Sequence, residues 1–144
     1  MSRKKLVPAV VLLIGMLLTA RHLAAAEPAP PNETGRYFEM RKYYAMPGKL
    51  ADLNARFRDH TCGLFKKHDM EIVAFWMPTE GPEADRVLVY VLAYPSKEAR
   101  ESSWKGFRDD PDWKAARDAS EKNGKLVEKI ESTFMRATDY SPMK

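Results

Sequence analysis

The sequence predicts an α+β domain in which the elements follow the order β-α-β-β-α-β. Aromatic and β-branched runs alternate with runs of helical apolar spacing, and proline and glycine stand at the boundaries between them. The 144 residues suffice for one hydrophobic core and one domain. This order is that of the ferredoxin-like split-βαβ fold, a four-stranded antiparallel sheet with its helices on one face.

The first strand and the first helix are predicted at the start of this domain. Residues 36–45 are rich in tyrosine and phenylalanine and lead to Pro47-Gly48, which is typical of a strand followed by a break. From Gly48 to His68 the apolar residues recur at a spacing that places them on one helical face. They are Leu50, Leu53, Phe57, Leu64 and Phe65.

Three further strands are predicted from their side chains. Residues 70–77 are β-branched and aromatic and are followed by a proline- and glycine-containing turn. Residues 86–94 form a nearly continuous apolar run, which is typical of a strand buried on both faces. Residues 129–137 alternate between two faces, as expected of the last strand.

The second helical region is predicted to consist of two pieces. Ser96 can cap a helix over residues 97–107, because its hydroxyl can accept from a free backbone N–H. Asp110 can cap a second piece whose first turn contains Pro111. This piece is expected to end near Gly124, since glycine readily adopts the left-handed conformation of a helix terminus.

Residues 1–26 have the features of a signal peptide. Three basic residues at positions 3–5 precede the uncharged run Leu6–Ala20, and Ala24 and Ala26 form the small-x-small pattern of a cleavage site. A permanent membrane anchor is the alternative, but this run is shorter than the roughly 20 residues that a spanning helix needs. We expect cleavage after Ala26 and a periplasmic or secreted protein.

The distribution of charge argues against a nucleic-acid partner. The chain has a formal net charge of +4, and residues 1–26 contain four basic residues and no acidic one. Residues 27–144 are therefore neutral overall, which predicts neither a nucleic-acid stripe nor membrane binding after cleavage. Residues 27–35 read as a proline-rich linker and residues 36–144 as the domain. The single cysteine, Cys62, excludes an intrachain disulfide.

The predicted strands carry more aromatic surface than one layer of helices can cover. We expect the helix-free face to be buried by a second copy of the chain, sheet against sheet, which would form a homodimeric α/β barrel. An open, ligand-binding sheet is the alternative. The aromatic residues concerned are Tyr37, Tyr43, Trp76, Tyr90 and Phe134.

Four motifs resemble, in order, those of NIPSNAP domains. They are the strand Tyr37–Tyr43 followed by Pro47-Gly48, Tyr94-Pro95-Ser96 with Arg100, the segment FRDDPDW at residues 107–113, and Ser132-Thr133-Phe134. The resemblance extends over about residues 37–142 and implies a dimeric α+β barrel. Proteins of this fold include small monooxygenases, haem-handling proteins and ligand binders, and the family has no well-established reaction.

Glu39, Arg41 and Tyr43 share one face of the first strand, because side chains alternate along a strand. If Met40 faces the helices, these three face the barrel interior or the dimer interface. There they could orient a small polar ligand or transfer a proton, since burial shifts carboxylate pKa values. The alternative is a structural ion pair that sets the strand register.

A second group of aromatic residues could line an apolar ligand cavity. Trp76, Tyr90 and Tyr94 are candidates, together with Phe134, and Arg100 would stand near the cavity mouth. The alternative is ordinary core and dimer packing. Trp104 and Trp113 are expected to be packing anchors on the helices.

His60 lies on or beside the apolar face of the first helix and is a candidate haem ligand, metal ligand or general base. A structural histidine at the edge of the core is the alternative. His68 is about two helical turns away, too far to share a metal with it, and we predict no metal site. No cofactor is predicted, with haem as the alternative.

The function predicted from the sequence is the binding of a small apolar or aromatic ligand by an exported homodimer. Glu39, Arg41, Tyr43, Trp76 and Tyr90 would border the pocket. One alternative is a dimeric-barrel oxidoreductase, monooxygenase-like or haem-linked, with His60 or Tyr43 as the chemical residue. Another is a protein–protein interaction module of the cell envelope.

Overall fold

The computed structural model describes residues 35–144, so the predicted leader and nearly all of the predicted linker lie outside the described residues. The strands are β1 (Tyr37–Ala45), β2 (Glu71–Trp76), β3 (Val87–Tyr94) and β4 (Val127–Arg136). The helices are α1 (Leu50–Arg56), a π-helical turn (Phe57–Thr61), α2 (Cys62–Lys67), α3 (Lys97–Asp109) and α4 (Pro111–Ser120). The predicted order β-α-β-β-α-β is confirmed.

The four strands form one antiparallel sheet in the order β2-β3-β1-β4. The order is that of the ferredoxin-like fold, and β1 and β3 occupy its centre. In the register between them Arg41 pairs with Tyr90 and Met40 pairs with Val91. Directly paired residues point to the same side of a sheet, so this register identifies the two faces.

The hydrophobic core lies between the sheet and the helices. Its largest wholly buried side chains include Tyr90, Tyr94, Phe65 and Leu53. We call this side of the sheet the helix-covered face. The opposite side is here named the open sheet face. Its apolar residues include Phe38, Met40, Trp76, Val89, Val91 and Met135, and its polar residues include Lys42, Tyr44, Glu131 and Thr133.

The predicted caps of the second helical region are confirmed. The hydroxyl oxygen of Ser96 accepts from the backbone N–H of Ala99 at 3.1 Å, and the Oδ1 of Asp110 accepts from the N–H of Asp112 at 2.8 Å. Pro111 occupies the first turn of α4, where a backbone N–H would have no partner within the helix, so the missing N–H of proline costs no hydrogen bond. Two helices can therefore follow each other with a sharp break between them.

The first helix differs from the prediction because a π-helical turn interrupts it. The side chain of Thr61 donates a hydrogen bond to the carbonyl oxygen of Arg56 at 3.2 Å. Such turns insert one residue into the helical register and so rotate the side chains that follow. Apolar spacing alone could not show this, because Leu53, Phe57 and Leu64 remain buried on the same side.

Candidate functional site

Glu39 is the centre of a charged network beneath the helices. Its side chain is fully buried and accepts hydrogen bonds from Arg41 Nη1 at 2.7 Å and from Trp104 Nε1 at 2.8 Å. The Nε and Nη2 of Arg100 donate to it at 2.9 Å each. The carboxylate thus connects the middle of β1 to α3.

This environment keeps Glu39 ionised. Burial by itself would raise the pKa of the carboxyl group, but the hydrogen bonds from Arg100 and the charge of Arg41 outweigh it. The net effect is a pKa of Glu39 below its usual value. Burial opposes the charge of Arg41, but its interactions with Tyr43, Tyr90 and Glu39 outweigh burial and raise the pKa of Arg41, so both groups are charged at neutral pH.

The face expected for Glu39, Arg41 and Tyr43 is corrected by the structure. The expectation placed them on the helix-free side, but Met40 points to the open sheet face and the three point toward the helices. The reason is that the donors for the buried carboxylate come from α3, which lies over the helix-covered face.

Trp76 does not belong with the other predicted ligand-binding residues. It pairs with Val89, while Tyr90 pairs with Phe75, so Trp76 and Tyr90 lie on opposite faces. Trp76 is 52% exposed and Tyr90 is fully buried. Phe134 shares the helix-covered face but is half-exposed, with its ring stacked on Tyr37. Trp76 therefore cannot border one pocket with Glu39, Arg41, Tyr43 and Tyr90, and of these four only Arg41 and Tyr43 line the cavity described below.

Tyr90 and Tyr94 are buried with their hydroxyl groups unpaired. Within residues 35–144 neither hydroxyl makes a hydrogen bond of good geometry, although Tyr43 lies beside the Tyr90 hydroxyl and Trp104 beside that of Tyr94. Burial raises the pKa of both phenols, that of Tyr90 very strongly. Both tyrosines are therefore neutral at pH 7. Each has a buried hydroxyl group that could still donate a hydrogen bond, whereas most buried hydroxyl groups in proteins already have a partner.

A cavity of about 270 Å³ lies next to this network, between the sheet and the helices. Its wall is aromatic and basic, and none of its lining residues is acidic. The aromatic lining residues are Tyr43, Phe57, Phe65, Trp104, Phe107 and Trp113. The four basic ones are Arg41, Arg56, Arg108 and Arg117, and Thr61 completes the lining.

Two of these arginines are deeply buried and incompletely paired. The side chain of Arg41 is 13% exposed and that of Arg56 is 4% exposed. Arg56 donates from Nη1 to the side chain of Glu121 at 3.1 Å. In the described part of the chain the buried Nε of each arginine has no acceptor. Leaving these buried N–H groups without an acceptor carries a desolvation cost.

The π-helical turn helps to build this cavity. It carries Phe57 at its start and Thr61 at its end, and both residues line the cavity. Arg56, the residue before the turn, lines it as well. Turns of this kind are frequent at functional sites because they aim side chains that a regular helix would direct elsewhere.

His60 lies outside this cavity. It is exposed and borders a separate groove between the first helix and α4, together with Asp59. Among residues 35–144 no group of three or more histidine, cysteine or acidic side chains is placed to hold a metal ion. His68 instead contacts Asp110, with 2.6 Å between its Nε2 and Oδ2, and so connects the end of α2 to the cap of α4.

Sequence reasoning missed several lining residues of the cavity. Trp104 was expected only as a packing anchor, yet it donates to Glu39 and also forms part of the cavity wall. Arg56 stands three residues after Leu53 on the buried face of the first helix, and that spacing could have signalled it. Arg108 follows Phe107 directly and carries no comparable signal.

These features define a ferredoxin-like α+β protein with a basic, aromatic cavity beneath its helices. The family model for NIPSNAP matches residues 38–142, and the chain belongs to this family. No curated protein matches the chain. Within the described residues no helix is both long and apolar enough to cross a membrane.

Solved structures show the same fold at low sequence identity. A NIPSNAP family protein of unknown function from Agrobacterium tumefaciens is 21% identical, with a TM-score of 0.68 over 79% of this chain and 98% of that one. A NIPSNAP-like domain protein from Burkholderia xenovorans is 15% identical, with a TM-score of 0.66 over 76% and 90%. A Caulobacter crescentus protein assigned to the antibiotic biosynthesis monooxygenases is 17% identical, with a TM-score of 0.50 over 74% and 93%.

Proposed function

We propose that this protein binds a small, partly aromatic organic molecule in the cavity between its sheet and its helices. The observation that carries the proposal is the lining, in which aromatic rings surround arginines with unsatisfied buried N–H groups. Apolar walls with a few convergent polar groups are typical of small-molecule sites. The volume of about 270 Å³ is at the low end for such sites and favours a small ligand.

Of the residues predicted to bind the ligand, some would contact it directly and others would hold those contacts in place. Arg41 and Tyr43 line the cavity and would contact the ligand. Glu39 and Arg100 lie behind them, where Glu39 fixes the guanidinium of Arg41. Preorganisation of this kind lowers the entropy that a side chain loses when a ligand binds.

We propose further that a second copy of the chain covers the open sheet face. That face presents Met40, Val89 and Val91 from the two central strands, and they are only half-buried. Trp76 lies on the same face with 52% of its surface exposed. An apolar patch of this kind favours association, and two identical sheets can bury it with a twofold axis.

The cellular location remains a proposal from the leader alone. Cleavage after Ala26 would release a chain that begins at Glu27 into the periplasm or the medium. Native mass spectrometry of protein purified from the envelope of the producing cell measures the start of the chain, the oligomeric state and any bound molecule together. We expect a dimer of chains that begin at Glu27, with an additional small mass.

Substitution of Arg108 by tryptophan tests the position of the site. Arg108 is exposed and lines the cavity, so a bulky Arg108→Trp side chain should obstruct the cavity without disturbing the core. We expect the additional mass to disappear from the native spectrum while the dimer mass stays. Retention of the ligand by Arg108→Trp would place the site elsewhere.

Arg58→Trp is the matched control. Arg58 is also exposed and lies on the π-helical turn, but it does not line the cavity. This variant should keep the bound molecule at the wild-type level. Loss of the ligand from both variants would indicate a general effect of surface tryptophan and would contradict the assignment.

Oxidation of the bound molecule is a second candidate function. It is favoured by the structural similarity to the Caulobacter crescentus protein assigned to the antibiotic biosynthesis monooxygenases. Tyr43 would then be the chemical residue, because it lines the cavity and His60 does not. Oxygen uptake with an electron-rich phenol such as 1-naphthol, in wild type and in Tyr43→Phe, would reveal this activity. If the protein instead uses haem, addition of haem to the wild type should produce a Soret band. His60→Ala should abolish that band.

A further inference from the structure

We infer that the cavity is built for an aromatic carboxylate, a planar apolar body that carries one negative charge. This inference rests on the proposed function and adds the chemical class of the ligand. It depends on three features of the cavity: its charge balance, its unsatisfied donors and the arrangement of its rings.

The cavity lies in a region with a surplus of positive charge. Glu39 is the single carboxylate that contacts Arg41 and Arg100 in the described part of the chain, so this cluster carries one excess positive charge. Arg56 pairs with Glu121 and Arg117 pairs with Asp118. Arg108 is exposed at the rim of the cavity, where it interacts electrostatically with the neighbouring Asp109.

Buried positive charge with too few counter-ions is costly, and here Arg41 and Arg100 share the single carboxylate of Glu39. Moving a charged group out of water costs free energy that only a nearby opposite charge or hydrogen bonds can offset. Arg56 is almost completely buried, and its Nε–H, like that of Arg41, has no acceptor within the described residues. A bound anion beside Arg41 would reduce this local surplus of positive charge.

The rings of the cavity form a continuous wall with an arginine at each end. The ring centroids of Trp104 and Phe107 are 5.4 Å apart, and those of Phe107 and Trp113 are 4.6 Å apart. The guanidinium carbon of Arg41 lies 4.5 Å from the Trp104 ring centroid. That of Arg56 lies 5.3 Å from the Trp113 ring centroid. The Trp104 ring is nearly perpendicular to the Phe107 ring, at 83°, and the Phe107 ring is inclined by 34° to that of Trp113. An aromatic ligand would therefore pack against the edge or face of a single ring while its charged end meets an arginine.

A carboxylate suits these arginines better than other acceptors of the same charge. The planar fork of a guanidinium group matches the two oxygens of a carboxylate and binds them with two parallel hydrogen bonds. The aromatic ring attached to such a carboxylate would pack against one of the lining rings, Trp104, Phe107 or Trp113.

The inference is tested with 1-naphthoate and its neutral isostere 1-naphthamide as probes. Both have the same ring system and nearly the same shape, and they differ in charge. Binding to the full mature chain is measured by isothermal titration calorimetry. We expect 1-naphthoate to bind at least tenfold more tightly than 1-naphthamide, because charge-assisted hydrogen bonds are about twice as strong as neutral ones.

Two substitutions separate the contribution of the arginines from that of the cavity. Arg108→Gln should weaken 1-naphthoate about threefold to tenfold and leave 1-naphthamide unchanged, since it removes charge from the cavity rim. Arg56→Lys keeps the charge but loses the planar fork, and it should weaken 1-naphthoate selectively as well. Arg58→Gln, a substitution of an exposed arginine outside the cavity, should change neither affinity.

The possible outcomes distinguish this inference from the function on which it rests. If both probes bind equally well and Arg108→Trp abolishes both, the cavity is a binding site and the carboxylate inference is wrong. If neither probe binds at millimolar concentration, the inference and the proposed site are both contradicted. If 1-naphthoate binds but Arg58→Gln weakens it as much as Arg108→Gln does, its attraction to the protein is nonspecific and the inference fails.

Discussion

Glu39 shows how much one buried residue determines in this protein. Its carboxylate accepts hydrogen bonds from Arg41, Arg100 and Trp104 and thereby joins β1 to α3. A buried carboxylate without these donors would be strongly destabilising, so its position requires that α3 lie over the sheet in this orientation. The same contacts hold the guanidinium of Arg41 at the edge of the cavity.

Substitution of Glu39 by glutamine is expected to destabilise the protein strongly at neutral pH. The variant leaves Arg41 and Arg100 buried beside a neutral amide, and we expect a loss of about 3 kcal/mol in the free energy of unfolding. The difference in unfolding free energy between the wild type and Glu39→Gln should become smaller at acidic pH. The lowered pKa of Glu39 contributes stability above the unfolded pKa of about 4.3, and this contribution is lost as the pH falls through the folded value. Urea unfolding at pH 7 and pH 3 measures both effects.

Glu131→Gln provides the comparison for this substitution. Glu131 is exposed and its carboxylate pairs with Lys129 at the surface, where solvent screens the attraction. We expect wild-type stability at pH 7. An unfolding free energy of Glu39→Gln equal to that of the wild type at pH 7 would show that the buried network contributes nothing to stability.

At the scale of the elements, the caps decide where the helices over the cavity begin. Ser96 starts α3 and Asp110 starts α4, and these two helices carry Trp104, Phe107 and Trp113 of the cavity wall. A break between the two helices is required because one straight helix could not bring all three rings against the sheet. The cap residues therefore shape the cavity although they do not line it.

Ser96→Ala should remove the N-terminal cap of α3. The backbone N–H of Ala99 loses its acceptor, and we expect a loss of about 1 kcal/mol in the free energy of unfolding. Thermal and urea unfolding measure it. Ser96→Asp should restore the stability, since aspartate also caps helices well.

Ser102→Ala controls for the loss of a hydroxyl in the same helix. Ser102 is exposed in the interior of α3, where alanine has the higher helix propensity, so this variant should be neutral or slightly stabilised. Equal destabilisation by Ser96→Ala and Ser102→Ala would contradict a specific role of the cap.

At the scale of the whole molecule, the two faces of the sheet have different roles. The helix-covered face holds the core, the charged network and the cavity. The open sheet face is apolar at its centre and is the surface proposed for a second copy of the chain. Ligand binding and dimerisation would then use opposite faces, so either can be disrupted without the other.

Val91→Lys is expected to separate the two functions. Val91 is half-buried at the centre of the open sheet face, so a lysine there would place charge in the proposed interface while the single chain still folds. Sedimentation equilibrium should show a dimer for the wild type and a monomer for Val91→Lys. Affinity for 1-naphthoate should be nearly unchanged.

Ala115→Lys is the control for added surface charge. Ala115 is exposed on α4, away from the sheet, and this variant should remain a dimer. A monomeric wild type, or a Val91→Lys variant that sediments as a dimer, would contradict the proposed interface.

The sequence by itself determined the order of the elements, the two caps and the family. These depend on signals that are local in the chain: apolar periodicity, a serine or aspartate before a helix, and short motifs such as the one at residues 107–113. The family assignment and the fold class expected from them are confirmed. The β1 residues Glu39, Arg41 and Tyr43 were recognised as a group for the same reason, since alternation along one strand is local.

Tertiary structure alone decided which way that group points. Alternation shows that Glu39 and Met40 face opposite sides, but either side is compatible with it. The choice depends on Arg100 and Trp104, which follow Glu39 by 61 and 65 residues and supply its hydrogen bonds. A buried carboxylate must lie where its donors are, and their position is a property of the packed molecule. Because Arg41 and Tyr43 point to the same side as Glu39, the cavity that they line lies beneath the helices.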